Sequence, residues 1–135
     1  MATFLFKTEP SEYSFADLVR EKRCVWSGVS SPAGLLGLRA CRKGDEVLMY
    51  HTGAEKRIVG LAEVVKPAYP DPDAGDDKLV VVDLKPLKSV PTPVTLAQVK
   101  ADARFADFAL VRQSRLSVMA VPAPLDAALR RMCGL

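Results

Sequence analysis

Apolar residues fall along this chain in short runs, most of them too brief for a helix and too continuous for a half-exposed strand. The run from Thr3 to Thr8 alternates poorly and reads as a buried strand ended by Pro10. After the turn Lys43-Gly44-Asp45, Glu46 to His51 reads as a second strand. Ile58 to Lys66 reads as a third, with the segment from Thr52 to Arg57 as a hairpin loop between the two. Leu79 to Val90 predicts a long strand with a bend near Pro86, and Tyr69 to Asp77 before it predicts a polar loop that continues neither helix nor strand. Ala109 to Val121 predicts one or two extended segments around a polar centre.

Helices are marked by their ends. Ser14 caps a short helix from Phe15 to Arg20, with Asp17 in the first turn where the helix dipole favours it. Thr95 with Gln98 forms a capping box for a helix through Ala101. Pro124 to Met132 predicts a final helix closed by Gly134. The sum is an α+β chain: one domain over residues 1–135, a small, partly closed mixed β-barrel of five or six strands with short peripheral helices.

Composition narrows the classes. With 135 residues, 49% apolar and 26% charged, the chain is long enough to bury a core of its own. Runs such as Leu79-Val80-Val81-Val82 are far too short to span a bilayer, so no membrane partner is expected. Met1-Ala2-Thr3 leads into a strand without a basic segment and apolar stretch, which predicts no secretory signal and a cytoplasmic location. Cys24, Cys41 and Cys133 show no metal-ligand spacing and stand with a single histidine, so neither a zinc site nor a disulfide framework is expected. Gly34-Leu35-Leu36-Gly37 lacks the phosphate-loop patterns, and no cofactor is expected. The formal net charge of +3 weakly favours a polyanionic partner. Basic groups occur at Arg20-Lys22-Arg23, Arg39-Arg42-Lys43 and Arg112-Arg115, against an acidic loop from Asp71 to Asp77.

Four stretches offer chemistry. Lys7, Thr8 and Glu9 end the first strand, where their alternating side chains either line a cleft or decorate a surface strand end. Trp26, the only tryptophan, is followed by Ser27, Gly28, Val29 and Ser30; a lone indole is either a core anchor or, beside an open backbone with free amides, a platform for a base. Tyr50-His51 ends the second strand, and His51 is either structural or a general acid–base partner of Glu9. Arg112 to Ser117, read as a strand, puts Gln113, Arg115 and Ser117 on one face and Arg112, Ser114 and Leu116 on the other, either supplying a pocket or protecting an edge with charge.

Taken in order, these residues resemble the EVE domain family of the PUA-like superfamily. The matching blocks are Phe6-Lys7-Thr8-Glu9-Pro10-Ser11-Glu12-Tyr13-Ser14, Trp26-Ser27-Gly28-Val29, Gly44 to His51, Val59 to Val65, Tyr69 to Asp71-Pro72, Val81 to Leu84, and Leu110 to Val118. The resemblance implies a PUA-like fold and a non-enzymatic pocket for a modified base, a modified cytosine such as 5-methylcytosine or 5-hydroxymethylcytosine flipped out of DNA. By the same resemblance the pocket draws on Lys7, Thr8, Glu9, Trp26, Ser27, Gly28, Val29, Ser30, Tyr50, His51, Gln113, Ser114, Arg115, Leu116 and Ser117. Trp26 would stack, Glu9, Ser114 and Ser117 would meet polar edges, and Lys7 and Arg115 would face phosphate. An RNA-binding module of related fold is the first alternative, and a small nucleotide hydrolase or nuclease using His51 and Glu9 is the second. One departure stands out: the family commonly continues after Trp-x-Gly-Val with Arg-Asn-Tyr, where this chain has Ser30-Ser31-Pro32. It bears on ligand identity and strength and leaves the fold untouched.

Overall fold

The computed structural model describes residues 1–135. β1 (Thr3–Thr8) pairs in parallel with β3 (Glu46–His51) and antiparallel with β6 (Val118–Val121). Thr3, Phe4, Leu5 and Phe6 are all buried, as a strand covered on both faces requires, and this is why its apolar run does not alternate. β4 (Arg57–Pro70) and β5 (Val80–Thr95) form a long antiparallel hairpin, and the short β2 (Cys24–Trp26) adds to the outer side of β5. The six strands lie in the order β2-β5-β4-β3-β1-β6. The α+β class and the mixed sheet agree with the sequence reading. The sheet does not close: β2 and β6 remain its two edges.

Helices cover both faces. α1 (Phe15–Glu21) and α2 (Pro32–Ala40) fill the crossover between the parallel strands β1 and β3 and bury Phe15, Leu18, Leu35 and Leu38 against Phe4, Phe6, Val47, Met49 and Trp26. α3 (Leu96–Ala101), the single-turn α4 (Ala109–Arg112) and α5 (Ala123–Cys133) cover the other face, burying Val99, Leu110 and Leu129 with Leu5, Leu48, Tyr50 and Met119. The caps are those the sequence predicts. Ser14 and Asp17 exchange side-chain and backbone hydrogen bonds at α1, Thr95 and Gln98 do so at α3, and Gly134 closes α5 in the left-handed region at φ +79°.

Two expectations need correction, and one element escaped the sequence pattern. Tyr69 and Pro70 belong to β4, and the loop begins only at Asp71, because the β4–β5 ladder runs on to the pairs Tyr69–Val81 and Pro70–Val80. Register shifts along that hairpin accommodate its prolines. Of the extended stretch expected over Ala109 to Val121 only Val118–Val121 is strand: Ala109–Arg112 is the helical turn α4, and Gln113, Ser114, Arg115, Leu116 and Ser117 turn after it, the Gln113 amide donating back to Ala109 and the Leu116 amide to Gln113. α2 was not foreseen. Ser31 caps it through the Gly34 amide at 3.1 Å, Pro32 occupies its first turn, and Gly37 lets it lie directly on Val118.

Candidate functional site

The end of β1 is where the predicted stretches converge. Its neighbours on the two sides are Tyr50 and His51 of β3 and the residues that lead into β6. The Lys7 amide donates to the Ser117 carbonyl at 2.8 Å, and the Lys7 ammonium donates to the Ser114 carbonyl at 3.1 Å. The Thr52 amide donates to the Thr8 carbonyl at 2.9 Å, tying the β3–β4 turn to the same point. Phe6, two residues before Thr8 and on the same face, packs its ring 5.4 Å from that of Trp26. Residues far apart in the sequence thus meet at the carboxyl ends of the parallel pair, a usual place for a ligand in an open sheet.

Alternation along β1 divides the site in two. Thr8 lies on the α1–α2 face, where with Glu12, Tyr13, Val25, Trp26 and Ser27 it lines a cavity of about 240 Å³. That is below the ~300–1,000 Å³ of pockets for drug-sized ligands and suits one heterocycle. Trp26 is only 7% exposed and meets Tyr13 edge-on, with ring centroids 6.2 Å apart. It is therefore a core residue and a cavity wall together, which joins the two readings the sequence left open. The Tyr13 hydroxyl donates to Glu21 at 2.8 Å; burial first, and that carboxylate second, push its ionisation far upward. Ser27 and Gly28 are exposed beside the indole, and their amides make no hydrogen bond within the chain.

Lys7 lies on the opposite face, over Tyr50 at 5.9 Å from the ring centroid, and burial lowers its ammonium below the usual lysine range. Burial likewise raises the Tyr50 phenol. Ser114 stands between this face and a depression lined by Ser31, Ala33 and Arg112 to Leu116. Within that depression Arg112 is engaged with the Ala106 carbonyl and Asp107, whereas Arg115 forms no ion pair. Ser117 brings its hydroxyl to about 4.0 Å from where a side chain on Gly34 would begin, so the β6 approach and the start of α2 touch. Val29 is buried against Gly34, and Ser30 is exposed.

His51 and Glu9 do not form an acid–base pair. His51 Nε2 accepts from the Phe15 amide at 3.0 Å, and Nδ1 lies 3.1 Å from Glu55, so both ring nitrogens hold structure. The His51 hydrogen bond, helped by Arg57, keeps the Glu55 carboxyl below the usual range. Glu9 accepts from the Ser11 amide and hydroxyl and from Thr52. Much of the predicted basic charge is also engaged: Arg20 pairs with Asp17 and Arg23 with Asp83, while Arg39 donates to the Lys78 carbonyl.

The sequence reading missed Glu12 and Tyr13 as cavity walls, although both lie in its quoted motif. It also missed Ser31, for which the Ser-Pro pair was the available signal, and Lys56 and Lys100, for which there was none.

Comparison with known proteins agrees with this architecture. The family model described as EVE domain matches residues 2–130. Thymocyte nuclear protein 1 of chicken is 29% identical over 136 residues, covering 90% of this chain and 56% of the relative, so the chain spans little more than half of that protein. The solution structure of Rpa0253 from Rhodopseudomonas palustris superposes with a TM-score of 0.93 at 43% identity, covering 99% of this chain and 94% of that one. The crystal structure of human THYN1 in complex with 5-methylcytosine-containing DNA superposes with a TM-score of 0.90 at 22% identity, covering 100% of this chain and 99% of that one, a likeness of fold.

Proposed function

We propose that this chain, which belongs to the EVE domain family, is a nucleic-acid-binding module that receives a modified cytosine, flipped out of duplex DNA, in the cavity beside Trp26. The observation that carries the reading is the meeting of an aromatic-walled cavity of heterocycle size with cations that have no carboxylate partner, all at the end of β1. The DNA bound by human THYN1, which shares this fold, points to the same ligand class.

The chemistry suits such a base. An extruded base loses stacking and pairing, and an aromatic wall with a few edge contacts replaces them. Trp26 and Tyr13 supply the wall. The exposed Glu12 carboxylate can accept from the exocyclic amine of cytosine, and the free Ser27 and Gly28 amides can donate to its ring acceptors. Val25, 52% exposed at the same cavity, offers apolar contact to a substituent at C5. Recognition needs no catalytic group, and His51 is already committed to α1 and Glu55.

Trp26 is the only tryptophan, so its fluorescence reports on this cavity alone. The test is a titration with matched duplexes carrying unmodified, methylated or hydroxymethylated cytosine. Saturable quenching stronger with a modified duplex is the expected result. Equal response to all three, with tighter binding of single-stranded RNA at the same salt, would replace DNA reading by RNA binding.

A further inference from the structure

On the face of the sheet opposite Trp26, three lysines gather without a counter-ion. Lys7 of β1, Lys56 of the β3–β4 turn and Lys100 of α3 line one cavity of about 300 Å³ with Tyr50, Thr52 and Ser114. None of the three takes part in an ion pair. The carboxylates closest to them along the chain are engaged elsewhere: Glu9 with Ser11 and Thr52, Glu55 with His51 and Arg57, and Asp102 with Arg104. Three like charges around one space repel one another, so their arrangement favours an anion that completes it.

The cavity is also held in shape. Lys56 adopts the left-handed region at φ +46°, a strained conformation for a side-chain-bearing residue that persists only where the surroundings impose it. Its carbonyl accepts from the Leu96 amide at 2.8 Å, binding the turn to the start of α3 and bringing Lys56 beside Lys100. The Gly53 and Lys56 amides on the same turn make no hydrogen bond within the chain. Ammonium groups, hydroxyls and unpaired amides on a fixed turn are the donors an oxyanion needs.

We propose that this cavity is a phosphate site, taking a phosphodiester or a phosphate monoester. For the phosphodiester the inference rests on the proposed DNA reading: Lys7 and Thr8 project from opposite faces of β1, so a strand crossing its end can leave a base beside Trp26 and a phosphate among the lysines. Every phosphate contact neutralised by lysine releases counter-ions and steepens the salt dependence of binding.

The test uses the full chain with Lys56→Gln and Lys100→Gln combined, both exposed positions, with unchanged thermal unfolding as the check on folding. Affinity is measured against salt for matched methylated and unmodified duplexes, and binding of inorganic phosphate is followed through the Gly53 and Ser114 amide resonances. For a backbone phosphate, the variant weakens both duplexes by the same factor and lowers the log–log salt slope by about 1. An unchanged slope, with inorganic phosphate binding by wild type that the variant loses, supports the site and assigns it to a free phosphate. An unchanged slope and no phosphate binding by wild type would overturn it. Equal wild-type affinity for the two duplexes would sink the methylation reading alone, because the slope comparison holds for any DNA.

Discussion

His51 Nε2 accepts the Phe15 amide at 3.0 Å, so the last residue of β3 caps the first turn of α1 from 36 residues away. A helix begins with amides that have no partner inside it, and this one is buried. His51→Ala would leave it unpaired and should cost roughly 1–3 kcal/mol in urea unfolding. A variant as stable as wild type would mean that α1 does not depend on the imidazole.

Trp26 packs on Phe6 and Tyr13 while walling the cavity, so truncation removes core as well as ligand contact. Trp26→Ala should lower stability by about 3–5 kcal/mol. Trp26→Phe should stay folded and still bind modified DNA more weakly, since base stacking on an aromatic ring is worth about 1–3 kcal/mol. Unaltered affinity in the phenylalanine variant would remove the indole from the site.

Gly60 of β4 sits where an added Cβ would run into the Phe15 ring. Gly60→Ala therefore has to displace α1 or the strand, and a loss of about 1–3 kcal/mol is expected. Because Tyr13, two residues before Phe15, packs edge-on against Trp26, the Trp26 emission should shift as well. Wild-type stability with an unshifted spectrum would show that α1 yields at no cost.

Asp83 should govern part of the acid limb of stability. Burial works against its charge, but hydrogen bonds from the Tyr69 hydroxyl at 2.5 Å and from Arg23 at 2.8 Å prevail and hold its carboxyl below the usual range. A depressed folded-state value means a contribution present above the unfolded value of about 3.9 and lost as pH falls through the lower folded one. Asp83→Asn should be less stable than wild type at neutral pH, with the gap closing below about pH 4. A gap that persists unchanged into acid would assign the effect to packing.

Features encoded by neighbouring residues were legible. The capping pairs Ser14–Asp17 and Thr95–Gln98 were readable because cap and partner are three residues apart, and Gly134 because a left-handed helix end favours glycine. β1, β3 and most of the β4–β5 hairpin showed as apolar runs. β2 did not, because three residues carry no period and its partners, Val82 to Leu84, lie far along the chain. α2 was hidden by Gly34 and Gly37, poor helix formers that serve here for close packing on Val29 and Val118.

The sequence by itself determined β1, β3, most of the β4–β5 hairpin, the caps of α1 and α3 and the family, since these follow from local pattern and from blocks in a fixed order. It also placed Lys7, Thr8, Trp26 and Ser114 among the candidates. Only the tertiary structure decided that Lys7 and Thr8 serve different cavities, that His51 holds a helix rather than facing a ligand, and that Lys56 and Lys100 join Lys7. Alternation dictates that successive side chains on a strand point to opposite faces. What covers each face is set by elements distant in the chain, α1 and α2 on one side and α3 to α5 on the other, and that packing assigns each side chain its partner.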